Sequence, residues 1–171
     1  MLPPNNGMHP TANSVSLIRG TCRYHRFAVA DDAGVGPHGG LQMRKQYYFR
    51  PSAQGLLAWD VHRLIELSSG FQPRQVPLTE IRELDEAYWF GGEEERPTCR
   101  AVAEHARLIQ ETDLSYPIIL SAEGRVMDGM HRVAKAYIDG HERIHAVQFH
   151  VTPEPHYVGV EVEELPYDDA A

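Results

Sequence analysis

The clearest alternation of apolar and polar positions in this chain lies between residues 46 and 151. Pro117-Ile118-Ile119-Leu120 is a short unbroken apolar run, the pattern of a buried strand. Ser121-Ala122-Glu123-Gly124 supplies a tight turn, and Arg125-Val126-Met127 returns toward Asp128. From Arg132 onward, Val133, Ala134, Ala136, Tyr137 and Ile138 recur at helical spacing, and Gly140 provides the stop. A second helix is predicted near Thr98 to Glu111, with Thr98 as N-cap and Val102, Ala106, Leu108 and Ile109 as its apolar positions. Val76 to Ile81 reads as a strand leading into an acidic-aromatic segment. Upstream of that strand, a helix opening at Pro51 or Ser52 and ending before Gly70 is expected from the stripe Leu56, Leu57, Val61, Leu64 and Ile65. Trp59 and Asp60 would lie on or beside that helix, and its stripe would pack into the core.

The flanks are patterned differently. Residues 1–45 carry scattered prolines and a glycine-rich Gly34 to Gly40, with a short strand candidate around Tyr24 and Phe27, and are expected to be flexible or loosely attached. Residues 152–171 hold a Val158/Val160/Val162 alternation, which suggests one edge strand, and an acidic end at Asp168-Asp169, which suggests a tail. The 171 residues therefore predict one main domain, 46–151, with peripheral additions.

The net charge of −8 argues against tight non-specific binding to nucleic acid, which needs many phosphates neutralised by Lys and Arg. A local basic patch around Arg125, Arg132 and Lys135 stays compatible with that total. Cys22 and Cys99 are far apart and show no metal or redox spacing, which fits a reduced, cytoplasmic setting. No apolar run approaches membrane-span length, and the first residues lack the charged start and hydrophobic core of a secretory signal.

The chemistry concentrates at Asp128-Gly129-Met130-His131-Arg132. A glycine, a histidine and an arginine there occupy the first turn of a helix directly after a strand. Helix N-termini present unpaired N–H groups and a positive dipole end to anions. Arginine adds a planar fork of donors, and histidine a donor whose charge changes near neutral pH. The box therefore reads as a phosphate-binding strand–helix junction. It also fits a plainer reading, in which Asp-Gly is a turn dipeptide and Asp128 caps the helix.

Tyr88-Trp89-Phe90 suits either a core anchor or a stacking lid for a base. Glu93-Glu94-Glu95 suits a solvated loop or the acidic first turn of the next helix. His105 reads as structural or superficial more readily than as a ligand. His141, His145, His150 and His156 lack helical zinc spacing, so no structural metal is expected. There is no P-loop, catalytic-triad signature or Gly-x-Gly-x-x-Gly.

In order and spacing, Val76-Pro77-Leu78-Thr79-Glu80-Ile81, the helix at Thr98 to Glu111, Tyr116-Pro117-Ile118-Ile119-Leu120, the box, and Ile144 to Phe149 resemble the N-terminal domain of ParB partition proteins and the related sulfiredoxins. The resemblance covers Gln75 to Phe149. It implies an α/β (α+β) fold, a small mixed sheet with packed helices, in which Ile144 to Phe149 is the closing strand. It also implies a nucleotide ligand: CTP in ParB proteins, ATP in sulfiredoxin, ADP in a related free-serine kinase. By matching position, Gly129, Met130, His131 and Arg132 would wrap phosphates, and Arg100 would fall roughly at a nucleotide-contacting lysine. Where sulfiredoxin has its reactive cysteine this chain has Met130, whose thioether cannot act as the thiolate, so sulfinic acid repair is excluded. The arginine-rich segment of ParB proteins is replaced by Glu83 to Phe90, and too few residues follow Phe149 for a helix-turn-helix, so chromosome partitioning is not expected. The opening Asn6-Gly7-Met8-His9-Pro10-Thr11-Ala12-Asn13-Ser14 resembles translated integron cassette recombination sequence.

The resulting expectation is a nucleoside di- or triphosphate ligand with Mg2+, handled by a small-molecule phosphotransferase or nucleotide hydrolase. Asp128 and His131 would be its catalytic groups, with Glu80, Asp85 or Glu86 as further carboxylates. The alternative is a nucleotide-gated interaction module without turnover, with a protein partner or a homodimer. A nuclease is weakened by the acidic charge.

Overall fold

The computed structural model describes residues 45–90 and 96–167. The expected N-terminal strand near Tyr24, the looseness of residues 1–44, the placement of Glu93-Glu94-Glu95 and the Asp168-Asp169 tail lie outside them.

The fold is α+β, with three α-helices and two sheets among the described residues. The described residues open with strands β1 (Tyr47–Ser52) and β2 (Gly55–Asp60), then helix α1 (Val61–Ser68) and strand β3 (Arg74–Pro77). Helix α2 (Cys99–Glu111), strands β4 (Ile118–Leu120) and β5 (Val126–Asp128), and helix α3 (Met130–Ile138) follow. Strands β6 (Arg143–Gln148) and β7 (Tyr157–Val158) complete the order. β3, β6, β4 and β5 form a mixed sheet in that order, with β4 and β6 parallel and the other pairs antiparallel. β1, β2 and β7 form a separate antiparallel sheet.

Alternation along the strands decides which layer each side chain joins. On one face of the mixed sheet, Val76, Ile118, Leu120, Val126, Ile144 and Ala146 pack with Met130, Val133 and Ala136 of α3. On the other, Ile119, Met127, Val147 and Phe149 meet Leu64 of α1 and Tyr48 and Trp59 of the second sheet. The far face of that second sheet holds Tyr47, Phe49 and Ala58 against Val162 and Leu165. β4 is buried on both sides, which explains its unbroken apolar run.

Three predicted boundaries are corrected. Residues 51–60 are not helical: β1 and β2 pair as a hairpin from Tyr47↔Asp60 to Ser52↔Gly55, and the helix begins only at Val61. Leu57 and Trp59 face one core, Leu56 and Ala58 the other. A strand apolar on both faces mimics a helical stripe over so short a window. Asp60 ends the strand and caps α1, accepting from the His62 N–H at 2.9 Å.

The strand predicted at Val76 to Ile81 instead runs from Arg74 to Pro77 and passes into 3-10 turns at Leu78–Glu80 and Arg82–Asp85. Pro77 has no N–H to continue a ladder and sits at the end of an edge strand. The C-terminal alternation yields an edge strand only at Tyr157–Val158. Gly159 takes a left-handed φ of 68°, and Val162 reaches the core from a 3-10 turn. No helix among the described residues is long and apolar enough to cross a membrane.

Candidate functional site

The box forms as the strand–helix junction that its residues predict. β5 ends at Asp128, Gly129 takes φ 99° and ψ 24°, and α3 starts at Met130. The left-handed backbone suits glycine alone here, and close contact reinforces the requirement. A Cβ on Gly129 would lie 2.7 Å from Arg132 Nη2, 2.9 Å from Arg132 Nε and 2.8 Å from Ile118 Cγ2. The space beside Gly129 is thus filled by the guanidinium of Arg132, which folds back on the junction.

Asp128 does not cap the helix. Its Oδ2 accepts from Arg132 Nη2 at 2.7 Å in a largely buried ion pair. α1 and α2 are capped by the Asp60 and Thr98 side chains, whereas no side chain caps α3. Arg132 Nε, beside this junction, is buried with no hydrogen-bond partner among the described residues.

His131 stands on the first turn of α3. Its Nε2 lies 3.0 Å from His105 Nδ1 of α2, so one imidazole donates and the other accepts. Trp89 stacks on both rings, at centroid distances of 4.5 Å from His105 and 5.0 Å from His131, and Phe90 meets His105 edge-on. Trp89 Nε1 is a second buried donor without a partner among the described residues. Burial pushes the pKa of His105 down, partly opposed by the charge of Glu104. The aromatic triplet divides its roles: Tyr88 enters the core, while Trp89 and Phe90 cover the histidines.

The remaining predicted residues scatter. The Met130 side chain is buried in the core, so its backbone N–H is what it can present. Arg100 is exposed on the first turn of α2, about 140° around the helix from His105 at 100° per residue. Val102, assigned to the apolar face of α2, is exposed; none of the helix is fully buried.

The expected basic patch is already engaged. Arg125 binds Glu83 through Nε at 2.9 Å and Glu86 through its terminal nitrogens, which holds the Glu86 carboxyl below its usual range. Lys135 donates to the carbonyls of Gln110 and Thr112 at 2.9 and 2.8 Å, closing the C-terminus of α2. No group of three metal-ligating side chains occurs among the described residues.

Sequence reasoning missed two features. Glu83 is a buried carboxylate whose Oε1 accepts from the Val126 N–H at 2.9 Å, while Oε2 has no partner among the described residues. The His105–His131 contact joins residues 26 positions apart in sequence. Neither has a local signal, because a charged residue in a 3-10 turn and a histidine on a helix both read as solvated.

In comparisons with known proteins, the chain matches no family model, no curated protein and no solved structure at a significant level.

Proposed function

We propose that the chain binds a nucleoside di- or triphosphate, with Mg2+ carried on the phosphates, at the Gly129–Arg132 junction. One observation carries this reading. The N-terminus of α3 has no side-chain cap and lies beside two buried donors, Trp89 Nε1 and Arg132 Nε, that find no acceptor among the described residues. Buried donors are ordinarily satisfied, and an anion rich in acceptor oxygens at a helix N-terminus supplies what Trp89 Nε1 and Arg132 Nε lack. The resemblance of the box and its flanking elements to ParB and sulfiredoxin domains supports the same ligand. In this reading His131 and Arg132 contact phosphate oxygens, and His105 fixes the ring of His131. A phosphotransferase or nucleotide hydrolase would use the histidine pair to take a proton from the attacking hydroxyl or water.

The Asp128–Arg132 ion pair favours a second reading, a nucleotide-gated interaction module without turnover. It ties up the carboxylate nearest the box, and Arg125 does the same to Glu83 and Glu86.

The test is calorimetric titration of ATP, ADP, CTP and GTP with Mg2+ against wild type, His131→Ala and Arg132→Ala, each checked for folding by circular dichroism. Saturable binding weakened by about 1.5–3 kcal/mol in Arg132→Ala is expected for a charge-assisted phosphate contact. Because Arg132 also pairs with Asp128, Arg132→Lys serves where the alanine variant unfolds. Folded wild type that binds none of the four nucleotides would end this reading. Product formation distinguishes an enzyme from a module.

A further inference from the structure

A cavity of about 610 Å3 opens at the end of the mixed sheet opposite the box. Gly129 abuts Ile118 at the start of β4, whereas the cavity lies past the C-terminal ends of the parallel pair, at Ala122 after β4 and at Phe149 and His150 after β6. Crevices at the carboxyl ends of parallel strands are common ligand sites, and this volume is within the roughly 300–1,000 Å3 of small-molecule pockets.

Its lining has two parts. Phe71 and Phe149 meet edge to face, with centroids 5.4 Å apart and planes at 78°, and His150 lies 6.5 Å from Phe71. Arg74 supplies the charge. Gln148 donates through Nε2 to the carbonyls of Ser121 and Ala122 at 3.1 and 3.2 Å, which fixes its amide. Its Oε1 then accepts from Arg74 Nη2 at 2.6 Å, so the guanidinium is held by one corner. Nε and Nη1 of Arg74 have no partner among the described residues. Among the described residues no carboxylate lines the cavity, although the chain carries a net charge of −8.

We propose that this cavity binds a small organic carboxylate with a flat, apolar body. A guanidinium edge matches a carboxylate in planar, bidentate geometry, and its single charge balances one negative charge. A phosphate monoester near neutral pH would leave charge uncompensated against an aromatic wall. The flat body would pack on the Phe71–Phe149 pair, where ring edges and faces are both presented.

The experiment titrates the full chain with benzoate, its neutral isostere benzamide, benzylamine and inorganic phosphate, followed by calorimetry and by chemical shifts of the Gln148 side-chain amide. Saturable benzoate binding is expected, with benzamide about tenfold weaker or more for want of the charge-assisted contacts. Arg74→Gln, an exposed substitution, should reduce benzoate affinity to that of benzamide. Phe71→Ala should weaken both, and His131→Ala should change neither. Absence of saturable benzoate binding overturns the proposal, as does equal affinity for benzamide, or phosphate binding more tightly than benzoate. The benzoate–benzamide comparison on wild type decides the matter even if a variant fails to fold, and the nucleotide titrations are independent of it.

Discussion

Gly129 shows how one residue can serve backbone and packing together. Its φ of 99° is a conformation other residues reach only with strain, and the contacts of a Cβ with Arg132 and Ile118 would fall below 3.0 Å. Gly129→Ala should therefore destabilise the protein by about 1–3 kcal/mol and displace Arg132 from Asp128. Urea denaturation reads the first effect, and the Arg132 side-chain N–H resonances read the second. A midpoint equal to that of wild type would mean that the junction relaxes without strain. The Asp-Gly dipeptide identified this position from sequence. It could not show that the room beside Gly129 belongs to Arg132, because that depends on a side chain returning one helical turn later.

Elements here are held by ends as much as by faces. α2 buries none of its residues fully, yet it positions His105 against His131. Its N-terminus is capped by Thr98 and its C-terminus by Lys135 from α3. A cation that bonds the last carbonyls satisfies groups left open by the helix and complements its dipole. Lys135→Met retains the aliphatic stem and removes both bonds. It should raise amide exchange throughout α2, by an opening free energy of roughly 1–2 kcal/mol, while β4 and β6 stay protected. Uniformly faster exchange in helix and sheet would show that Lys135 supports the whole fold instead. Thr98 and the span of α2 were legible because capping is local. The partner of its far end was not, since Lys135 lies 23 residues beyond Thr112.

At the scale of the whole molecule, two partly buried imidazoles link stability to pH. Burial lowers the pKa of His105, and burial with the nearby charge of Arg63 lowers that of His156. His156 Nδ1 accepts from the Asp60 N–H at 2.9 Å, so protonation there would set a donor against a donor. The folded state thus binds these protons less readily than the unfolded chain. Their contribution to stability is complete above the unfolded pKa of about 6.5 and is lost as pH falls through that value toward the lower folded one. The urea midpoint should fall between pH 7.5 and 5.5, and His156→Gln, whose carbonyl keeps the acceptor without titrating, should flatten the fall. A midpoint independent of pH across this window would contradict the lowered pKa of both rings.

The sequence by itself determined the strand–turn–strand–helix unit from Ile118 to Gly140, the capped start of α2 and the place of the box. Each is written in residues close together, through periodicity, a cap or a glycine. Tertiary structure alone decided that Leu56 and Leu57 lie on a strand, since a second core covers the other face of β2. It also decided that Arg125 and Lys135 are engaged within the fold, and that Trp89, His105 and His131 meet over α3. The physical reason is the range of the forces involved. Backbone preference acts within a turn, whereas burial and charge pairing are settled by whichever distant segment the fold brings alongside.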